Sequence, residues 1–283
     1  MHPGSIPGEA SKLPDTPDNL LLSGHARRSC EPCNSGNDPR QPDPLGPAPL
    51  DGRAEKRSGA AARDGRLMLD YAQARRLMVD CQLRTFDVND VAVLDAFDTV
   101  PRERFVPPGR EDFAYIDQTL TLDAGEDGIR AMPAPMLLAR LIQALRIRPG
   151  IRALDVGTGY GYGAALLRQL GAEVVALESD PDLIGAARER LGDTVNLVQD
   201  ALTAPAKGGP FDAILVEGRV EVRPQALLDQ LRDDGRLVCV LGPHRNAKAT
   251  LFVRAGDAFG ARPLFDASLP PLKSFANEPG FAF

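Results

Sequence analysis

The chain has 283 residues, 43% of them hydrophobic, which is enough for a substantial core and for one large domain or two small ones. A formal net charge of -6 argues against a dominant basic face for a phosphate backbone, so no nucleic-acid partner is expected. No stretch approaches the roughly 20 uncharged apolar residues that cross a bilayer, Leu20-Leu21-Leu22 is too short for a signal peptide, and four scattered cysteines make no secreted disulfide framework; the expectation is a soluble, cytoplasmic protein without a membrane partner.

Residues 1–67 hold no aromatic side chain and 10 of the chain's 25 prolines, so they cannot bury enough apolar surface to offset their ordering entropy. They read as a disordered Pro/Gly-rich leader, with Met68 as an alternative first residue. Cys30 and Cys33 have CxxC spacing, but a structural zinc needs about four ligands and only His25 offers a third nearby, so no metal is expected.

From Met68 onward the composition becomes that of a folded domain. Tyr71, Ala74, Leu77, Met78 and Cys81 form an apolar stripe within a helix spanning residues 69–83, and Asp87 is positioned to cap a second helix running to Phe97. Prolines at 101 and 107 then interrupt regular structure, and a third helix runs from about Ala134 to Leu145. Residues 68–148 thus read as a helical cap. From 149 to 283, short apolar runs (153–156, 174–177, 195–198, 213–216 and 236–241) alternate with helical patterns (161–170, 181–191 and 224–231), the rhythm of right-handed crossovers in a parallel sheet. Residues 251–254 and 261–265 read as a closing antiparallel pair.

The chemistry concentrates where the first of these strands meets its helix, at Asp155-Val156-Gly157-Thr158-Gly159-Tyr160-Gly161-Tyr162-Gly163. Ligands of open parallel sheets bind beyond the carboxyl ends of strands, and Gly157 and Gly159 let the backbone turn sharply and approach a ligand closely. A dinucleotide fingerprint would place its third glycine at 162, where this chain has tyrosine, and Asp155 would repel a pyrophosphate. Asp155 suits instead the cationic amine of S-adenosyl-L-methionine, directly or through water. Glu178, 21 residues after Gly157, has the spacing of a carboxylate that receives ribose hydroxyls, and Asp200 after the next strand is placed for the adenine amino group. Thr158 within the turn and Ala201 beside Asp200 complete the expected cofactor set.

Several blocks carry a resemblance to a known family: Val79-Asp80-Cys81-Gln82-Leu83-Arg84, Val100-Pro101-Arg102-Glu103-Arg104-Phe105-Val106-Pro107, Ala114-Tyr115-Ile116-Asp117 and Phe211-Asp212-Ala213-Ile214-Leu215-Val216. With the glycine turn between them, residues 68–283 resemble the protein L-isoaspartate O-methyltransferase family. The resemblance implies an α/β, Rossmann-like S-adenosylmethionine-dependent methyltransferase fold, a mostly parallel seven-stranded sheet behind an N-terminal helical cap. It also implies methylation of the α-carboxylate of L-isoaspartyl residues in damaged protein, by a monomer. Such transfer needs no Ser/His/Asp or Cys/His constellation, and His244 reads as a surface loop residue.

Two departures fall on the acceptor side. The family carries a serine or threonine two residues ahead of the proline matched here by Pro135, and that position in this chain is Pro133, followed by Ala134. Proline offers neither a hydroxyl nor an N–H, so a hydrogen bond to substrate is lost. The second departure is Glu217-Gly218-Arg219-Val220-Glu221-Val222-Arg223, where the family has small and apolar residues; Glu217 and Arg219 are substrate-side candidates, with a solvated edge as the plainer reading. An enzyme with a different methyl acceptor, or a cofactor-binding protein without catalysis, stay open as alternatives.

Overall fold

The computed structural model describes residues 69–125, 128–243 and 246–277. The leader with Cys30, Cys33 and His25, and also Met68 and His244, lie outside the described residues. The chain enters α1 (Tyr71–Met78) at Asp70, whose carboxylate accepts the amides of Ala72 and Gln73 at 3.0 and 3.1 Å, and runs on through a π turn, Val79–Leu83. The cap of α2 (Val91–Thr99) is Asp90 rather than the expected Asp87. Asp87 sits at φ 63°, in the left-handed region that ends the preceding helical run, whereas Asp90 has the extended backbone that lets a side chain reach the amides of Ala92 and Val93.

The cap is not wholly helical. β1 (Leu120–Gly125) and β2 (Gly128–Met132) form an antiparallel pair with Leu120 opposite Met132, and Pro135 then opens α3 (Pro135–Leu145) at its first turn.

The remaining elements are β3 (Arg152–Val156), α4 (Tyr162–Gln169), β4 (Glu173–Glu178), α5 (Pro181–Leu191), β5 (Asn196–Gln199), β6 (Phe211–Val220), α6 (Gln225–Leu228), β7 (Leu231–Leu241), β8 (Lys248–Ala255) and β9 (Ala258–Asp266). Seven strands form one sheet in the order β5-β4-β3-β6-β7-β8-β9, parallel from β5 to β7 and closed by the antiparallel β8 and β9. Helices cover both faces, so the central strands are buried on both sides: Ala153, Ala213 and Leu215 pack into one apolar layer with α3 and α4, and Leu154, Val156, Ile214 and Val216 into the other. The chain moves from β3 outward to β4 and β5, then returns to β6 on the opposite side of β3. That reversal opens a crevice at the carboxyl end of β3.

The first part of the charged segment, residues 217–220, is not a solvated edge, whereas Val222 and Arg223 are exposed. β6 continues through it to Val220, and Glu217 and Arg219 are only 4% and 3% exposed. The burial is possible because Arg219 has partners: its guanidinium donates to the carbonyls of Leu269 and Gly242 at 3.3 and 3.0 Å and pairs with Glu221 at 2.7 Å. Arg219 also holds the C-terminal segment through its backbone, accepting the Leu272 amide at 2.9 Å and donating to the Pro270 carbonyl at 2.9 Å.

Candidate functional site

The sequence-predicted cofactor residues converge at the crevice. Leaving β3, the chain bonds back to the neighbouring strand, with Gly157 N–H donating to the Leu177 carbonyl at 2.9 Å. It then turns with Gly157 at φ +72° and Gly159 at φ +55°. At Gly159 the positive φ disfavours a side chain, and a Cβ would come within 2.5 Å of Leu122 Cδ1, so that the leucine would have to shift. Leu122 on β1 and Leu272 from the C-terminal segment press on the turn from outside.

Glu178, at the end of β4, is fully buried and heavily bonded. Its carboxylate accepts the amides of Gly159 at 3.0 Å, Ser179 at 2.9 Å and Asp180 at 3.3 Å, and receives Arg130 Nε at 3.0 Å. Arg130, on β2 and 1% exposed, also donates to Ser179 Oγ at 2.9 Å. The carboxylate expected to receive ribose hydroxyls is therefore held by a guanidinium in this structure. The end of β5 is tied to the same corner, because Asp200 N–H donates to the Glu178 carbonyl at 3.2 Å. The Asp200 side chain is exposed and accepts the Ala201 amide at 2.7 Å.

Asp155 is fully buried behind the turn. One oxygen accepts the Thr158 hydroxyl at 2.6 Å and the other, Oδ1, has no hydrogen-bond partner among the described residues. Burial raises its pKa to about 6. The carboxyl of Glu217 lies within hydrogen-bonding reach of it, and burial, reinforced by the charge of Asp155, holds Glu217 well above the ordinary carboxylate range. Gly163 makes room for this group: a Cβ there would stand 2.1 Å from Glu217 Oε1. Gly163→Ala is accordingly expected to destabilise the domain by about 1–3 kcal/mol, the usual result of overpacking, and a denaturant midpoint unchanged from the wild type would refute the contact.

On the acceptor side, Pro133 is buried and Ala134 half-buried just ahead of α3. Arg102 anchors this segment. Its guanidinium is fully buried and donates to the carbonyls of Pro133 at 2.6 Å and Ala114 at 2.8 Å, lying 4.9 Å from the centre of the Tyr162 ring. Leu122, Ala131, Met132, Thr158, Tyr160 and Glu217 line a cleft between them that is too tight to admit a water molecule. Arg219, expected at the substrate, faces the C-terminal segment and the end of β7 instead.

Sequence reasoning missed Arg102, Arg130, Leu122 and Leu272. Arg102 stood in a block that carries the resemblance and Arg130 in the segment leading to Pro133, but nothing in the sequence marks Arg102 as buried and its neighbour Arg104 as not. The alternation of leucine and threonine over residues 119–122 was an available strand signal that would have placed Leu122 on a sheet face.

The comparisons with known proteins agree with one another. A family model described as protein-L-isoaspartate(D-aspartate) O-methyltransferase matches residues 73–264. A protein-L-isoaspartate O-methyltransferase of Methylorubrum extorquens is 41% identical over 208 residues, covering 72% of this chain and 90% of that protein. One of a Bradyrhizobium species is 35% identical over 215 residues, covering 73% and 98%. Among solved structures, a protein-L-isoaspartate O-methyltransferase superposes with TM-score 0.62 at 22% identity, over 70% of this chain and 65% of that one. A Plasmodium falciparum structure titled as such an enzyme in complex with S-adenosyl-L-homocysteine gives TM-score 0.59 at 22% identity, over 71% and 98%. At that identity the two structures bear on the fold alone.

Proposed function

Because the chain belongs to the protein-L-isoaspartate(D-aspartate) O-methyltransferase family, we propose that the crevice at the carboxyl end of β3 holds S-adenosyl-L-methionine and presents its methyl group to the α-carboxylate of an L-isoaspartyl residue in a damaged protein. The observation that carries this reading is the set of three acidic side chains, Asp155, Glu178 and Asp200, at or just beyond the ends of three adjacent parallel strands around one glycine turn.

The residues present fit the cofactor. Gly157 and Gly159, both at positive φ, give the turn the backbone that a close approach needs, and carboxylates, which only accept hydrogen bonds, suit a ligand that offers hydroxyls and a cationic amine. Glu178 would receive the ribose hydroxyls once Arg130 gives way, Asp200 with Ala201 would border the adenine, and Asp155 with Thr158 would set a negative charge behind the turn. When bound, the cofactor supplies an electrophilic methyl group on a sulfonium, an activated leaving group.

The acceptor is already an anion at neutral pH, so no side chain has to remove a proton from it. The protein's task is positioning. Arg102 fixes the backbone at Pro133, while Leu122 and Leu272 shield the turn from water. At Pro133 no hydroxyl is available to orient the carboxylate, so Ala134 and the Met132–Pro133 backbone form that wall. The test is transfer of labelled methyl to an isoaspartyl peptide beside its aspartyl twin. Selective labelling of the isoaspartyl form is the expected outcome. Equal labelling of both, or none when binding of S-adenosylhomocysteine is demonstrated by calorimetry, would refute the acceptor.

A further inference from the structure

Methyl transfer to a carboxylate has no use for a second buried acid, yet Glu217 is set against Asp155 at the floor of the proposed cofactor site. The surroundings define what the pair can be. Asp155 comes from the end of β3 and Glu217 from β6, the adjacent strand, whose Val216 lies opposite Val156. Among the described residues each carboxyl has one buried oxygen without a hydrogen-bond partner, Asp155 Oδ1 and Glu217 Oε1, and the two groups are within hydrogen-bonding reach of each other. Two ionised carboxylates can only accept, so the dianion leaves both orphaned and repelling each other. A single proton between them removes both faults.

The charged and titratable groups facing the pair show on which carboxyl the proton resides. Thr158 donates its hydroxyl to Asp155 at 2.6 Å, and the backbone of Ala164 supports the same carboxylate. Glu178, on β4, adds repulsion to Asp155. On the other side Glu217 has the Gly163 backbone from α4 and the charge of Arg102 from the turn after α2; Arg102 commits Nε and Nη2 to the carbonyls of Ala114 and Pro133 and lies over the Tyr162 ring, while its Nη1 and the Tyr162 hydroxyl are buried without a hydrogen-bond partner among the described residues. Asp155 is thus the better supported anion, and Glu217 the natural acid.

We propose that Glu217 is a positioning residue, a buried neutral acid that donates its proton to Asp155 and thereby holds Asp155 as a single oriented anion beneath the S-adenosylmethionine turn. Gly163 belongs to the same device, since any side chain there would occupy the place of the Glu217 carboxyl. The pair carries one negative charge between them across neutral pH, matched to the one cationic amine that the cofactor brings. This inference rests on the cofactor reading above, but the protonation of Glu217 does not.

Two measurements test it. Carbon NMR of the full chain labelled at glutamate carboxyls should show one resonance at the protonated position at neutral pH, absent from Glu217→Gln; a spectrum with every glutamate ionised overturns the proposal whether or not cofactor binds. Calorimetry with S-adenosylhomocysteine should then show Glu217→Ala weaker than the wild type by about ten-fold or more, the usual scale of a lost hydrogen bond to a charged group, and Glu217→Gln, which keeps a donor in nearly the same shape, restored to within about three-fold. Equal weakening in both variants, or none in either, overturns the donor role. A wild type that binds no S-adenosylhomocysteine but retains the protonated glutamate would instead count against the cofactor site and leave the acid pair established.

Discussion

Glu178→Ala is expected to lower the stability of the domain by about 3–5 kcal/mol, in addition to weakening cofactor binding, because it removes the buried carboxylate that the Arg130 guanidinium and three backbone amides share. The arithmetic follows from burial. Both partners are essentially inaccessible to water, and the Arg130 Nε to Glu178 Oε1 distance is 3.0 Å. A surface pair of the same geometry would be worth about 1 kcal/mol or less. Here the pair is buried, so its loss weighs more, and the three backbone amides of Gly159, Ser179 and Asp180 lose their acceptor as well. For a domain of this size the loss corresponds to roughly 10 °C in melting temperature. The decisive comparison is the double variant Glu178→Ala, Arg130→Met. If the ion pair dominates, removing both partners recovers a substantial part of the loss, and the two single changes are strongly non-additive. A single variant that melts within about 2 °C of the wild type would sink the assignment of Arg130 as the partner of Glu178.

The same ion pair sets an order on events at the site. In this structure β2 contributes a guanidinium to the carboxylate that the nucleoside would use, and Leu122 of β1 rests on Gly159. The side that bears on the acceptor therefore touches the turn that bears on the cofactor. Ribose hydroxyls that take over Glu178 would displace Arg130 or share the carboxylate with it, so binding at one side would bear on a residue three positions before Pro133. Hydrogen bonds to a buried carboxylate are exchanged rather than created, which reduces the net gain from cofactor binding relative to an open carboxylate.

The sequence revealed the parts of the molecule that depend on short-range pattern. The spacing of Asp155, Gly157, Gly159 and Glu178 is local, because each sits at a strand end and the strand lengths are short, so counting residues locates them. The apolar runs of β3, β4 and β6 declare themselves because both sheet faces are covered. Charge was the feature that misled. Glu217 and Arg219 look like a solvated edge because a sequence displays a charge but not its partner, and the partners are distant in the chain: Leu269 and Gly242 for Arg219, Asp155 for Glu217. Arg219 near the end of β6 and Glu221 just past it, two residues apart, form an ion pair at 2.7 Å, a spacing that extended backbone brings together and a helix does not. Asp87 and Asp90 show the same limit at smaller scale, since both suit a helix cap and only backbone geometry separates them.

Pro133→Ser is expected to raise the turnover of an isoaspartyl peptide by about one to two powers of ten, with a smaller change in KM, because it restores a hydroxyl and an N–H where the family resemblance places a donor to the reacting carboxylate. The structure supplies the reason that the substitution is tolerable. What holds residue 133 in place is its carbonyl, bonded to Arg102 Nη2 at 2.6 Å, and serine keeps that carbonyl. Arg102 is in turn fixed by the Ala114 carbonyl and the Tyr162 ring, so the backbone at 133 does not depend on the proline ring for its position. A donor added on a fixed backbone strengthens as charge is redistributed in the transition state, which is why the gain should fall mainly on kcat. Cofactor affinity, read by calorimetry, should stay within about three-fold, since Pro133 makes none of the bonds around Glu178 or Asp155. Were kcat for the isoaspartyl peptide to fall or stay level while cofactor affinity held, the carboxylate would not sit beside residue 133. The acceptor wall would then have to be sought along Ala131, Met132 and Tyr160, the other residues that line the cleft above Glu217.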